Sequence, residues 1–137
     1  MLEAGDKIVA DFLRFARELI GVRRQYPALR GEGCAIIHVH DDNRALAFQR
    51  WVEGQGRDVV VVCSLSENTF QNYAIGFPGL GRWREVFNSD VYDSWVNPIV
   101  AGNGGGGWMQ TGPALHGLPA SAVLTIPANG ILVFARD

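Results

Sequence analysis

The sequence has few cysteines, little net charge and no long apolar run. Its 137 residues include two cysteines, and 12 basic against 14 acidic side chains give a formal net charge of −2. This balance excludes the basic surface expected of a protein that binds nucleic acid or an anionic membrane. Because no run of 18 apolar residues occurs, no transmembrane span is predicted. The acidic start of the chain is unlike a signal peptide, so we expect a cytoplasmic protein.

The length of the chain limits the fold classes that it can adopt. A (β/α)8 barrel needs about 250 residues, so 137 residues cannot contain a whole barrel enzyme. Hydrophobic residues make up 47% of the sequence and charged residues 19%, as in a globular domain. We therefore expect one domain with a packed core.

Residues 6–25 are predicted to form the only long helix. Asp6 is expected to be its N-cap, and Tyr26-Pro27 ends it because proline cannot continue the helical hydrogen bonds. Apolar residues cover about half of the helix circumference, more than the roughly 100° that one partner requires. The helix is therefore expected to contact two partners. Large apolar side chains that lie close together on this face are candidates for an interface: Phe12, Phe15 and Leu19.

After Pro27 the hydrophobic pattern changes to the period of two that is typical of strands. Residues 34–40 and 45–52 predict a hairpin whose first strand is buried, and residues 59–64 predict a central strand. Further strands are expected at residues 70–75, 83–87, 122–126 and 131–135. The sequence thus predicts a mainly β fold: an antiparallel, Greek-key-like β-sandwich of about seven or eight strands, preceded by one N-terminal α-helix.

Two strand-level expectations follow from the same pattern. Alternation along the strand at residues 83–87 places Trp83, Glu85 and Phe87 on one face. Cys34 and Cys63 lie in apolar strand-like runs, which favours two free, buried thiols. A disulfide between neighbouring strands is the alternative.

No polar motif predicts catalysis or a cofactor. His38 and His40 share a strand face and Asp42 follows, but no further zinc ligand has clear spacing, and His116 is remote in the sequence. The glycine run at 102–107 lacks the Lys-Ser/Thr that a phosphate-binding loop needs. Asp90 and Asp93 lie in an irregular segment, whereas glycoside chemistry needs two carboxylates at a fixed separation. We therefore expect no catalytic residue, no metal and no cofactor.

Aromatic residues in the long irregular segment 88–121 are the candidates for binding. Trp95 and Trp108, with Tyr92, could stack on sugar rings or dock against another domain. Trp51 and Trp83 lie in predicted strands and are expected to pack within the sheet.

Several segments resemble one family. Phe87-Asn88-Ser89-Asp90, preceded by Trp83 and Glu85, resembles a segment of the C-terminal all-β domain of 1,4-α-glucan branching enzymes, members of the α-amylase family of glycoside hydrolases. His38-Val39-His40-Asp41-Asp42-Asn43-Arg44 and Ile126-Pro127-Ala128-Asn129-Gly130 are similar to further landmarks of that domain. The resemblance covers nearly the whole chain in the same order.

The resemblance implies a domain division and partners. Residues 1–27 would be the last helix of a (β/α)8 barrel with its connection, and residues 28–137 the C-terminal β-sandwich that stabilises the barrel. The family's catalytic carboxylates lie on barrel strands before Met1, so no catalytic residue is carried over. Expected partners are the barrel, α-glucan and a second copy of the chain. The alternatives are a standalone carbohydrate-binding β-sandwich and a pure interaction module.

Overall fold

The computed structural model describes residues 4–54, 58–79, 81–92, 100, 102–103 and 109–136. Helix α1 spans Ala4–Gln25, and a short 3-10 turn follows at Pro27–Arg30. The helix ends before Tyr26-Pro27 as predicted. It begins earlier than expected, so Asp6 lies within the first helical turn, where a carboxylate favours the positive end of the helix dipole, and is not the N-cap.

Eight antiparallel strands form two sheets within the described residues. They are β1 (Gly33–His40), β2 (Ala45–Trp51), β3 (Val59–Ser64), β4 (Phe70–Phe77), β5 (Arg82–Asn88), β6 (Met109–Gln110), β7 (Ala120–Ile126) and β8 (Ile131–Arg136). The larger sheet has the order β1-β2-β3-β8-β5-β6, and the smaller sheet pairs β4 with β7. The prediction of a mainly β sandwich with one N-terminal helix is confirmed.

The two sheets enclose the main core. Trp83 of β5 is fully buried there, its ring meets the edge of Phe77 at 5.0 Å between centroids, and its indole N–H donates to Gly79 O at 3.1 Å. Strands β4 and β7 contribute Ile75, Phe77, Leu124 and Ile126 to this core. The expectation that Trp83 packs within the sandwich is therefore confirmed.

A second core lies on the opposite face of the large sheet, beneath α1. Val59 and Val61 of β3, with Phe87 and Val133, pack there against Val22 of the helix. Because the middle strand is covered on both faces, β3 is apolar at nearly every position, as the sequence predicted. The molecule therefore has three layers: the helix, the six-stranded sheet and the two-stranded sheet.

A bulge in β5 makes one expectation wrong. The pairing with β8 shifts between Glu85, opposite Phe134, and Phe87, opposite Val133. The extra residue, Val86, breaks the alternation, so Phe87 lies on the helix side while Trp83 lies between the sheets. The predicted shared face of Trp83 and Phe87 is therefore not formed.

Strand β1 is also not the buried strand that its apolar sequence predicted. It is the edge of the large sheet, and Cys34 and Ile36 are exposed. Both cysteines are free, and Cys63 is only partly buried. Strand β2 separates their strands, with Cys34 opposite Arg50 and Cys63 opposite Leu46, so the pair is too distant for a disulfide. No helix in the described part of the chain is long and apolar enough to cross a membrane.

Candidate interaction surface

The inner side of α1 is anchored to the large sheet. Phe15, Leu19 and Val22 recur at helical spacing and pack against the cluster around Phe87. The Phe15 ring meets the edge of the Phe87 ring with centroids 5.6 Å apart. The sandwich thus covers one stripe of the helix.

Tyr92 links the helix to the end of β5. It lies in a 3-10 turn at Ser89–Tyr92, and its ring contacts Phe15 at 5.6 Å and Phe87 at 5.7 Å between centroids. Its hydroxyl hydrogen-bonds the Glu18 carboxylate, and burial together with this carboxylate raises the pKa of Tyr92. Hydrogen bonds from Arg14 and Tyr92 in turn lower the pKa of Glu18. Tyr92 therefore has a structural role at the helix–sheet contact.

The other apolar residues of α1 are exposed to solvent. We call them the outer helix face: Ile8, Val9, Phe12, Leu13 and Ile20, with exposed fractions of 69%, 67%, 68%, 56% and 52%. Scattered exposed apolar side chains are ordinary, but five large ones along one helix make an extended apolar surface. Such patches mark interaction sites in soluble proteins.

Two features of the helix explain this exposure. Val9, Leu13 and Ile20 lie on the flank of the helix, roughly 100° or more from the stripe that contacts the sheet. Ile8 and Phe12 lie near the angle of that stripe but at the N-terminal half of the helix, beyond the sheet residues that cover Phe15 and Leu19. The predicted half-circumference of apolar residues thus divides into a covered part and an uncovered part.

The structure places the three predicted interface residues differently. Phe12 lies on the outer helix face, with its ring stacked on Phe15 at 6.1 Å between centroids. Phe15 and Leu19 are partly buried against the chain's own sheet. Of the aromatic residues predicted to bind carbohydrate, Tyr92 packs under α1, while Trp95 and Trp108 lie outside the described residues. Their binding roles stay predictions.

A histidine cluster was missed by sequence reasoning. His116, remote in the chain, stacks on His38 with ring centroids 4.4 Å apart and an interplanar angle of 14°. The His40 ring also stacks on His38, with ring centroids 6.0 Å apart. The Tyr73 hydroxyl lies 2.7 Å from His38 Nε2 and so joins β4 to β1. The packing of β1 in the large sheet against β4 in the small sheet, with His116 bonded to Gly76 of β4, brings these residues together.

The cluster is not a metal centre. In the described ranges, no group of three or more His, Cys, Asp or Glu side chains could hold a metal ion. His116 Nδ1 already accepts the Gly76 N–H at 3.0 Å. Burial and the neighbouring His116 and His40 lower the pKa of His38, which favours the neutral ring.

Glu85 is a partly buried carboxylate with a structural explanation. Its Oε1 accepts from Asn88 Nδ2 at 3.1 Å, and its Oε2 accepts from Asn103 Nδ2 at 2.8 Å. Burial raises the pKa of Glu85, while the two amides oppose this rise. Both carboxylate oxygens are thus bound by side chains of the same chain, and Glu85 has a structural role in fixing Asn103 to β5.

The family comparison agrees with this architecture. Residues 36–137 match the family described as the α-amylase C-terminal all-β domain. The match covers most of the chain and all eight strands except the start of β1. The chain therefore belongs to the family of α-amylase C-terminal all-β domains.

Individual relatives extend the similarity to the helix. The chain is 37% identical over 128 residues to a 1,4-α-glucan branching enzyme GlgB of Burkholderia vietnamiensis. This alignment covers 89% of this chain and 17% of that protein. A protein of the same name from Pseudomonas fluorescens is 34% identical over 133 residues, covering 96% of this chain and 17% of that protein. This second alignment includes most of α1. The chain spans about one sixth of the length of these relatives.

Proposed function

We propose that this chain is the non-catalytic C-terminal region of a 1,4-α-glucan branching enzyme. The parent protein would transfer α-1,4-glucan segments to a 6-hydroxyl in the cytoplasm, on carboxylates of a (β/α)8 barrel. In this assignment residues 28–137 form the sandwich that stabilises the barrel, and residues 1–27 supply the last barrel helix with its connection. The similarity to GlgB proteins over nearly the whole chain supports the proposal.

The outer helix face is the observation that carries the proposal. The sandwich covers only Phe15, Leu19 and Val22. Fully burying a large apolar side chain contributes roughly 1.5–3 kcal/mol, so covering five of them strongly favours a partner. A barrel packed on the outer helix face would bury the apolar side chains of α1 that the sandwich leaves exposed.

An activity assay tests the assignment. The chain alone, incubated with amylose, is expected to change neither iodine staining nor the number of reducing ends. The coding region upstream of Met1 is expected to encode a barrel that branches amylose when joined to this chain. Turnover by the isolated chain, lost on substitution of one of its own residues, would overturn the proposal.

A second copy of the chain is the other candidate occupant of the outer helix face. An isologous dimer would pair two helices through the same patch. Light scattering across a dilution series tests this for the isolated chain. A mass that doubles with concentration, and returns to the monomer value in Phe12→Gln plus Leu13→Gln, supports self-association in the absence of the barrel.

A further inference from the structure

An open cleft of about 710 Å³ lies between the Pro27–Arg30 turn, the start of β1 and the end of β2. Its volume is within the range of about 300–1,000 Å³ that is typical of small-molecule sites. Trp51 lines it together with Arg30, Glu32 and Glu53. The sequence predicted sheet packing for Trp51, but this residue is the last of β2 and stays partly exposed.

The indole of Trp51 lies flat on the backbone of Gly33. A Cβ atom at Gly33 would overlap three central ring atoms of the indole, Cδ2, Cε2 and Nε1. Contact with all three from one side means that the backbone covers one face of the ring. Trp51 and Gly33 both line the cleft, and the indole face turned away from Gly33 is the one on which a ligand can stack.

The segment beneath the ring is held in place by Arg50. Its Nη2 donates to Gly31 O at 2.7 Å and its Nε donates to Gly33 O at 3.1 Å. These bonds tie Gly31 and the first residue of β1 to the end of β2. The aromatic face is thus fixed before any ligand arrives, which lowers the entropic cost of binding.

The rim of the cleft supplies polar groups of both kinds. Trp51 Nε1 donates to Glu53 Oε2 at 3.4 Å, and the carboxylates of Glu32 and Glu53 are exposed. Carboxylates accept hydrogen bonds and the Arg30 guanidinium donates them. An aromatic face with acceptors and a donor at its edge matches a pyranose ring, which has apolar C–H faces and an equator of hydroxyls.

We propose that this cleft binds a short α-glucan, with one glucose ring stacked on Trp51. Its hydroxyls would donate to Glu32 and Glu53 and accept from Arg30. The choice of α-glucan among neutral sugars rests on the proposed function. The stacking of a sugar ring on Trp51 rests only on the geometry of the cleft. Tyr92, one of the aromatic residues to which the sequence assigned carbohydrate binding, does not line this cleft.

Nuclear magnetic resonance of the full 137-residue chain tests the site directly. The four tryptophans give four indole N–H signals, each assigned by substitution. Titration with maltoheptaose is expected to shift the Trp51 signal most. Trp51→Ala should weaken binding about tenfold, whereas Trp51→Phe, which keeps an aromatic face, should retain most of it. Glu53→Gln should weaken binding less than Trp51→Ala.

A control variant tests whether the effect is specific to the cleft. Leu65→Ala, at an exposed apolar residue that does not line the cleft, is expected to leave the affinity unchanged, and circular dichroism checks that each variant folds. A Trp51 signal that stays in place at millimolar maltoheptaose, or an affinity unaffected by Trp51→Ala, overturns the proposal. Association of the chain with its barrel, measured with Trp51→Ala, should be normal, so failure of the sugar site is distinguishable from failure of the proposed function.

Discussion

The side chain of Asn103 forms two hydrogen bonds with the backbone of Thr125 and closes one end of the sandwich. Asn103 Nδ2 donates to Thr125 O at 2.9 Å, and Asn103 Oδ1 accepts the Thr125 N–H at 2.8 Å. The same Nδ2 donates to Glu85. One buried amide therefore connects β7 of the small sheet with β5 of the large sheet.

Asn103→Ala is expected to lower the free energy of unfolding by about 2–4 kcal/mol, because it leaves partly buried polar groups of Glu85 and Thr125 without this partner. Urea denaturation measures the change. Asn68→Ala, at an exposed turn position, serves as the control and should stay within about 0.5 kcal/mol of the wild type. Equal effects of the two substitutions would contradict the structural role of Asn103.

Covered and uncovered phenylalanines of α1 should respond differently to the same substitution. Phe15→Gln, on the covered stripe, is expected to cost about 2 kcal/mol of unfolding free energy, because it removes a ring from the core around Phe87. Phe12→Gln, on the outer helix face, should change stability by less than about 0.5 kcal/mol in the isolated chain. Thermal or urea unfolding at low protein concentration distinguishes the two variants. A larger loss of unfolding free energy for Phe12→Gln than for Phe15→Gln would contradict the exposure of Phe12.

The histidine cluster predicts a pH dependence of stability. The pKa of His38 in the folded chain is below its ordinary value of 6.5, so near this pH the unfolded chain binds more protons than the folded one. The stabilisation is complete above about pH 6.5 and is lost as the pH falls through the lower pKa of the folded state. The titratable groups in contact with His38 are His40, His116 and Tyr73.

His38→Gln, which keeps a polar group near Tyr73, tests this pH dependence. Between pH 7.5 and pH 5 the unfolding free energy of the variant should decrease less than that of the wild type. Urea denaturation at several pH values gives both curves. Parallel curves would mean that His38 titrates alike in the folded and unfolded chains.

The two cysteines should differ in reactivity. Burial raises the pKa of Cys63 and so reduces its thiolate fraction, whereas Cys34 is exposed on the edge strand β1. A thiol reagent at pH 8 should modify Cys34 quickly and Cys63 slowly, and the slow phase should disappear in Cys63→Ser. Denaturant should make both react fast; a failure to titrate two thiols there would indicate a disulfide.

Local sequence patterns were sufficient for most of the fold. Proline at position 27 ends α1, the polar turn before Arg44 closes the first hairpin, and the apolar run at Val59–Ser64 is the central strand. Each of these depends on residues that are neighbours in the chain. The apolar surplus on α1 also predicted that part of this helix would remain uncovered by the sandwich.

Long-range geometry was not predictable in the same way. The bulge at Val86 depends on how β5 pairs with β8, and it moves Phe87 to the other face. The contact of His38 with His116 depends on how the two sheets pack on each other. The position of the Trp51 ring against β1 depends on the absence of a side chain at Gly33. None of these relations leaves a periodic signal in the sequence.

Association with a barrel tests most directly whether the outer helix face is an interface with a catalytic domain. The barrel that we propose for the parent protein, expressed as a separate chain, is mixed with this chain and examined by analytical ultracentrifugation. A one-to-one complex is predicted for the wild type. The double variant Phe12→Gln plus Leu13→Gln should weaken its affinity at least tenfold. A control pair at exposed polar positions of α1, Arg17→Gln plus Arg24→Gln, should leave the affinity unchanged. The absence of a complex, or an affinity that the substitutions on the outer helix face leave unchanged, would contradict this role of α1.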